Sequence, residues 1–202
     1  MAVTSREFWG LVHGMGLGAV FLLAFAGGLA GLYSLRPEWV TTAGIKERLT
    51  RMNIGLWVMT AAAWGAGIVG TFIVYPWYRA TPPTGADLSL FPKSLLIASP
   101  LTADWHNFGM EWKEHVGWIA PMAATVVAFV LSRYGAQLSS EPKIRRVLLI
   151  FFVLAFVAAM VILGAMWKNK DVAFSKIANI SLVLLVLGLV GTFPLFWHLF
   201  GV

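Results

Sequence analysis

The sequence predicts an all-α, polytopic membrane protein: a bundle of five transmembrane helices with one longer loop, about 79–104, on the outer side. Three observations predict it. Hydrophobic residues fill 59% of the 202 positions and charged residues only 12%, about half the roughly 25% usual in a water-soluble domain. The apolar residues gather into long runs, each near the roughly 20 residues a helix needs to cross about 30 Å of hydrocarbon. The 15 Lys and Arg and nine Asp and Glu lie mostly in short clusters between those runs. The net charge of +6 is therefore read as membrane topology, and no nucleic-acid partner is expected. With no Cys, the chain excludes disulfides, zinc–thiolate and iron–sulfur sites, and covalent CxxCH haem attachment.

The first span is about Phe8–Leu35. Arg6, the apolar run and Ala24-Phe25-Ala26 imitate a signal peptide. The run continues to Leu35, too long for a signal core, so a retained helix is expected. The second span is about Ile54–Tyr78, and the loop after it carries Pro82, Pro83, Pro92 and Pro100, too many for a regular helix. The third span is about His115–Tyr134, but Ser99-Pro100 and Thr102 or Asp104 are helix-start signals, so the helix is expected to form before its apolar part. About Arg146–Trp167 and Ile177–Gly201 complete the five. No repeat or linker divides residues 1–202, which read as one integral membrane domain.

Orientation follows from the basic loops. The first loop holds Arg36, Lys46, Arg48 and Arg51, and the third holds Arg133, Lys143, Arg145 and Arg146, against Glu38, Glu47 and Glu141. The other side spreads seven basic and six acidic residues over a longer stretch of chain. The positive-inside rule then places the N-terminus outside and the C-terminus inside a bacterial cytoplasmic membrane. Trp9, Trp77, Tyr78, Trp112 and Trp167 would sit at the outer interface, and Tyr33, Trp39, Tyr134 and Trp197 at the inner one.

No Asp, Glu, Lys or Arg falls well inside a span, which argues against an ion-coupled transporter or an intramembrane hydrolase acting alone. Four histidines remain. His13 lies one to two turns into the first helix, where Gly10, Gly14 and Gly18 recur every four residues and Gly27, Gly28 and Gly31 follow. Such a glycine face admits another backbone or a flat macrocycle. Glu111 and His115 stand at i, i+4, a spacing that lets a carboxylate steer an imidazole. His106 and His115 are nine residues apart, on opposite sides of a regular helix. His198, near the other end of the bundle, reads as an interfacial side chain.

These residues suggest a small b-type cytochrome or haem-binding subunit, passing electrons between a quinone pool and an outer redox partner such as a cytochrome. His13 and His115 are the expected axial ligands of haem b, with Gly14 and Gly18 beside the ring and Glu111 orienting His115. His106, Met110 and Met15 are alternative ligands. Arg79, Lys113, Trp77 and Tyr78 are candidates for holding propionates. A second reading is a cofactor-free accessory subunit of a larger membrane complex, its glycines serving helix packing and its partners being lipid and other membrane subunits. A third is an outer-face metal site built from Asp104, His106, Glu111, Glu114 and His115. Pro37-Glu38-Trp39 is similar to the first three residues of the PEWY motif of cytochrome b proteins; Val40 replaces the tyrosine, and no quinone role is carried over.

Overall fold

A computed structural model describes residues 3–36 and 42–160. The Pro37-Glu38-Trp39 string, the end of the fourth span, and the whole fifth span with His198 lie outside the described residues. Those described are all-helical. Three helices, Ser5–Tyr33, Gly44–Tyr78 and Trp105–Leu138, are long and apolar enough to cross a membrane.

The first begins at a capping box, in which the Thr4 side chain accepts from the Glu7 amide at 3.2 Å and Glu7 accepts from the Thr4 amide at 2.9 Å. It runs as α1 (Ser5–Leu11), a π-helical segment (Val12–Leu17) and α2 (Gly18–Tyr33). The second comprises α3 (Thr42–Val69), a π segment (Gly70–Val74) and α4 (Tyr75–Tyr78). This π segment ends two residues before Pro76, which has no N–H to donate and whose ring crowds the carbonyl four residues back. Then come a 3₁₀ turn (Leu88–Leu90), α5 (Pro92–Ile97), a third π segment (Trp105–Met110), α6 (Glu111–His115), α7 (Ile119–Leu138) and α8 (Pro142–Met160).

The chain forms two compact units. Met1–Arg79 and Val116–Ala158 make one; of the described residues, Ala80–His115 belong to the other. In the first unit, α3 runs antiparallel to both α2 and α7, so α2 and α7 share a direction, as expected of the first and third spans. Gly28 of α2 seats Phe152 and Leu56: a Cβ there would lie 2.7 Å from Phe152 Cζ and 2.8 Å from Leu56 Cδ2. Gly31 seats Met52 and Gly65 seats Leu17 in the same way. Phe25 stacks on Phe152 and Phe156 at centroid distances of 4.7 and 4.5 Å.

Between α3 and α7, beside apolar packing such as Leu49 on Gly135, two joints are polar. Trp57 Nε1 donates to Ser132 Oγ at 2.9 Å, and Trp64 Nε1 to Thr125 Oγ1 at 3.0 Å. The two rungs lie seven residues apart on each helix, two turns along an antiparallel pair. At one end, Arg145 Nη1 faces the carbonyls of Leu35, Leu138 and Ser139 at 2.8, 3.1 and 3.1 Å. One guanidinium nitrogen thus caps the C-terminal ends of α2 and α7, where helix dipoles favour a cation. It also brings the first and third basic loops to the same end of the unit.

The outer surface is apolar in the same unit: Leu23 is 76% exposed, Phe72 71% and Phe129 58%. A soluble monomer avoids so broad an apolar surface. Hydrocarbon removes that penalty, in keeping with an integral membrane protein.

The second unit opens with a turn in which the Ala86 amide donates to the Pro83 carbonyl at 3.1 Å. Gly85 takes φ 78° at its third position, a conformation that asks for glycine. Asp87 accepts from the Ser89 amide at 2.9 Å and from its hydroxyl at 2.7 Å. These two bonds, the hydroxyl's first, hold its carboxyl below the usual aspartate range. Pro92 then starts α5, a position where proline's missing N–H costs nothing. The loop foreseen from its prolines is thus a series of short turns and helices. Ser99 accepts at its carbonyl from the Thr102 and Ala103 amides, and the chain is helical from residue 103. Helix formation ahead of the apolar part of the third span is borne out.

Candidate functional site

His13 lies in the first π segment, on a helix whose neighbours are almost wholly apolar. Its imidazole is seated on Gly70, the first residue of the second π segment. A Cβ on Gly70 would fall 2.7 Å from His13 Cε1, 3.2 Å from Nδ1 and 3.4 Å from Nε2. Only a residue without a side chain lets the ring lie there. Two π segments therefore meet at one imidazole. Such segments widen a helix by one residue per turn and cluster at functional sites.

The flanking glycines divide by role. Apart from the adjoining backbone of its own helix, no described atom comes within 4 Å of a Cβ built on Gly10 or Gly14, and for Gly18 the nearest is the His13 carbonyl oxygen at 4.0 Å. Gly14 is exposed. The expected open glycine face is therefore present around His13 among the described residues, while Gly28 and Gly31 further along serve packing and Gly27 does not. Met15, an alternative ligand, is 70% exposed. Below this site Tyr75 stacks on Tyr78 at 6.2 Å, and the Arg79 guanidinium lies 5.2 Å from the Tyr75 ring centre.

The other candidates belong to the second unit. His106, in the third π segment, is buried with 6% of its surface exposed, and Met110 ends that segment. The extra residue of a π turn voids the half-turn separation of His106 and His115 expected from regular helix geometry. Their environments still differ, since the His115 side chain is 73% exposed. Glu111 and His115 lie together, but the bond is to the backbone: His115 Nδ1 stands 2.8 Å from the Glu111 carbonyl oxygen, whereas Oε2 of the carboxylate expected to steer it is 3.8 Å away, beyond hydrogen-bond reach. A carbonyl only accepts, so Nδ1 donates in this bond, and in the neutral imidazole Nε2 then keeps the lone pair. That is the tautomer of an imidazole prepared to ligate through Nε2, with a backbone carbonyl behind it. Glu114 keeps one carboxylate oxygen, Oε1, buried with no hydrogen-bond partner among the described residues.

Among the described residues no three His, Asp or Glu side chains are grouped so as to hold a metal ion. The five-residue outer metal site is therefore not assembled there. Gly70 and the mid-helix indoles Trp57 and Trp64 are the positions that sequence reasoning missed. The signals were present: a glycine six residues before Pro76, and seven-residue spacing of Trp57 and Trp64 matched by Thr125 and Ser132. No protein-family model, curated protein or solved structure matches this chain.

Proposed function

We propose that this chain is a small membrane b-type haem protein that moves electrons between a quinone pool and a redox partner at the face where its first helix begins. The observation that carries the reading is His13: an imidazole within an apolar helix, seated on the bare backbone of Gly70 where two π segments meet. Ionisable side chains at such depth are functional by default. The open positions over Gly10 and Gly14 suit a flat macrocycle. With no Cys in the chain, haem would be held without covalent attachment. His13 is assigned as one axial ligand. His115 is preferred over His106 as the second, because its Nδ1–carbonyl bond directs Nε2 outward. The haem supplies the redox chemistry; the protein supplies ligation and burial, which set its potential.

The topology that goes with this function has five spans, with the N-terminus outside and the C-terminus inside a bacterial cytoplasmic membrane. Its support is that Arg145, from the third basic loop, reaches the Leu35 carbonyl beside the first, so both basic loops share one end.

The test is a reduced-minus-oxidised absorption spectrum of detergent-solubilised protein with a haem assay. Bound haem is expected in the native chain. His13→Ala should remove it, and His115→Ala should remove it or change its spin state, while His106→Ala leaves the spectrum intact. Absence of haem from protein expressed with ample haem supply would overturn the reading. A second reading, a cofactor-free accessory subunit, draws on the seats at Gly28, Gly31 and Gly65, which are filled by neighbouring side chains. It predicts co-purification with other membrane subunits and no effect of His13→Ala on that assembly.

A further inference from the structure

The basic end of the first unit carries a cavity that the redox reading does not use. It has a volume of about 290 Å³ and is lined by Gly31, Gly44, Glu47, Arg48, Arg51 and Met52. That is close to the lower end of small-molecule sites, about 300 Å³. Its wall is graded. Met52, 7% exposed, and the bare backbone of Gly31 form an apolar floor, and two guanidiniums stand at the rim against one carboxylate.

Both guanidiniums have partners. Arg48 donates to the Ser34 hydroxyl, which itself donates to the Ala30 carbonyl at 2.7 Å, and Arg51 pairs with Glu47 one turn away. The cavity lies where α2 ends and the charged first turns of α3 give way to its apolar run from Ile54. In a membrane this is headgroup depth. An apolar floor under a cationic rim fits an amphiphile whose head is a phosphate.

We infer that this cavity binds the headgroup of an acidic phospholipid, the phosphate lying between Arg48 and Arg51 and the glycerol backbone over Met52 and Gly31. A cation beside an anionic surface contributes to such binding about fivefold in affinity. Glu47 opposes it, both by competing for Arg51 and by its own charge. The site is therefore built for selective, exchangeable binding and not for permanent capture of the lipid.

The experiment uses the full chain in a neutral maltoside detergent, with phosphatidylglycerol adducts followed by native mass spectrometry and by the unfolding midpoint. Phosphatidylglycerol is expected to bind and raise the midpoint, whereas phosphatidylcholine and millimolar inorganic phosphate do neither. Arg51→Gln should weaken phosphatidylglycerol binding about fivefold, and Glu47→Gln should strengthen it. These side chains are 77% and 69% exposed, so both variants should fold. Lys143→Gln removes an exposed charge from the other basic loop and should leave the affinity unchanged. Equal losses in Arg51→Gln and Lys143→Gln would reduce the effect to diffuse attraction and overturn the site. Equal binding of free phosphate would overturn the lipid assignment, and an unchanged affinity in Glu47→Gln would overturn the stated geometry.

Discussion

The first and second helices meet through glycine seats, whereas α3 and α7 add indole–hydroxyl rungs to seats of their own, Leu49 on Gly135 and Trp118 on Gly67. At a seat, a missing side chain makes room for a neighbour's ring or methyls: Phe152 and Leu56 on Gly28, Met52 on Gly31, His13 on Gly70. At a rung, two side chains reach across and share a proton, Trp57 with Ser132 and Trp64 with Thr125. The difference concerns tolerance. A seat resists an added methyl to the extent that the neighbour on it cannot shift, because interiors are densely packed. A rung is individually weak, about 0.6 kcal/mol on average for interhelical hydrogen bonds within a membrane. Steric joints thus place a group accurately, and polar joints register helices without locking them. The candidate ligand sits at a seat.

The largest effect should come from the polar joint that carries charge. Arg145→Ala removes the donor to three carbonyls and should lower unfolding stability in detergent by about 3 kcal/mol. A loss below that of a rung would erase the distinction between charged and neutral joints. Gly28→Ala comes next. Its new methyl would press on Phe152, which is fully buried and stacked on Phe25, at a cost of about 2 kcal/mol by the same measurement. An unchanged midpoint would mean that the seat can relax.

Gly70→Ala tests the seat on which the proposed haem site depends. The methyl would displace the His13 ring, and retention of haem through purification should fall about tenfold, the scale on which ligand orientation is felt. The α-band should shift in whatever haem remains. Full haem content with an unshifted band would detach Gly70 from the site. Thr125→Val should cost only about 0.6 kcal/mol, and a double-mutant cycle with Trp64→Phe should return nearly all of it as coupling between the two side chains.

The smallest effect lies in the second unit. The Ser89 hydroxyl and amide hold the Asp87 carboxylate below its usual range, so this cap persists above the ordinary aspartate value and is lost only as pH falls through the lowered one. Hydrogen exchange at the Ser89 amide should stay slow down to about pH 3.9, the ordinary aspartate value, and quicken below it. Quickening at higher pH would show that the cap does not form.

Much of the site was legible before any coordinates. Glu111 and His115 stand one turn apart on any α-helix, so their proximity followed from spacing, although the contact is made by the Glu111 carbonyl and not by its carboxylate. His13 stood out because an apolar run isolated it. The partner of His13 did not stand out. Gly27 and Gly28 are adjacent and chemically identical, yet one faces open space and the other Phe152; no local pattern distinguishes them. The π segments were also hidden, since each trades local helix geometry for contacts made elsewhere. Only Pro76 offers a local reason for one of them.

The sequence by itself determined the helical class, three long apolar helices, the break of regular helix in the proline-rich segment, and the poverty of ionisable groups within the apolar runs. Those properties depend on composition, spacing and backbone chemistry, which act over a few residues. Tertiary structure alone decided which glycines are seats, where helices widen into π turns, and that Gly70 receives the imidazole of His13. Such choices depend on how two helix surfaces interdigitate, and the free energy of that fit belongs to both surfaces at once.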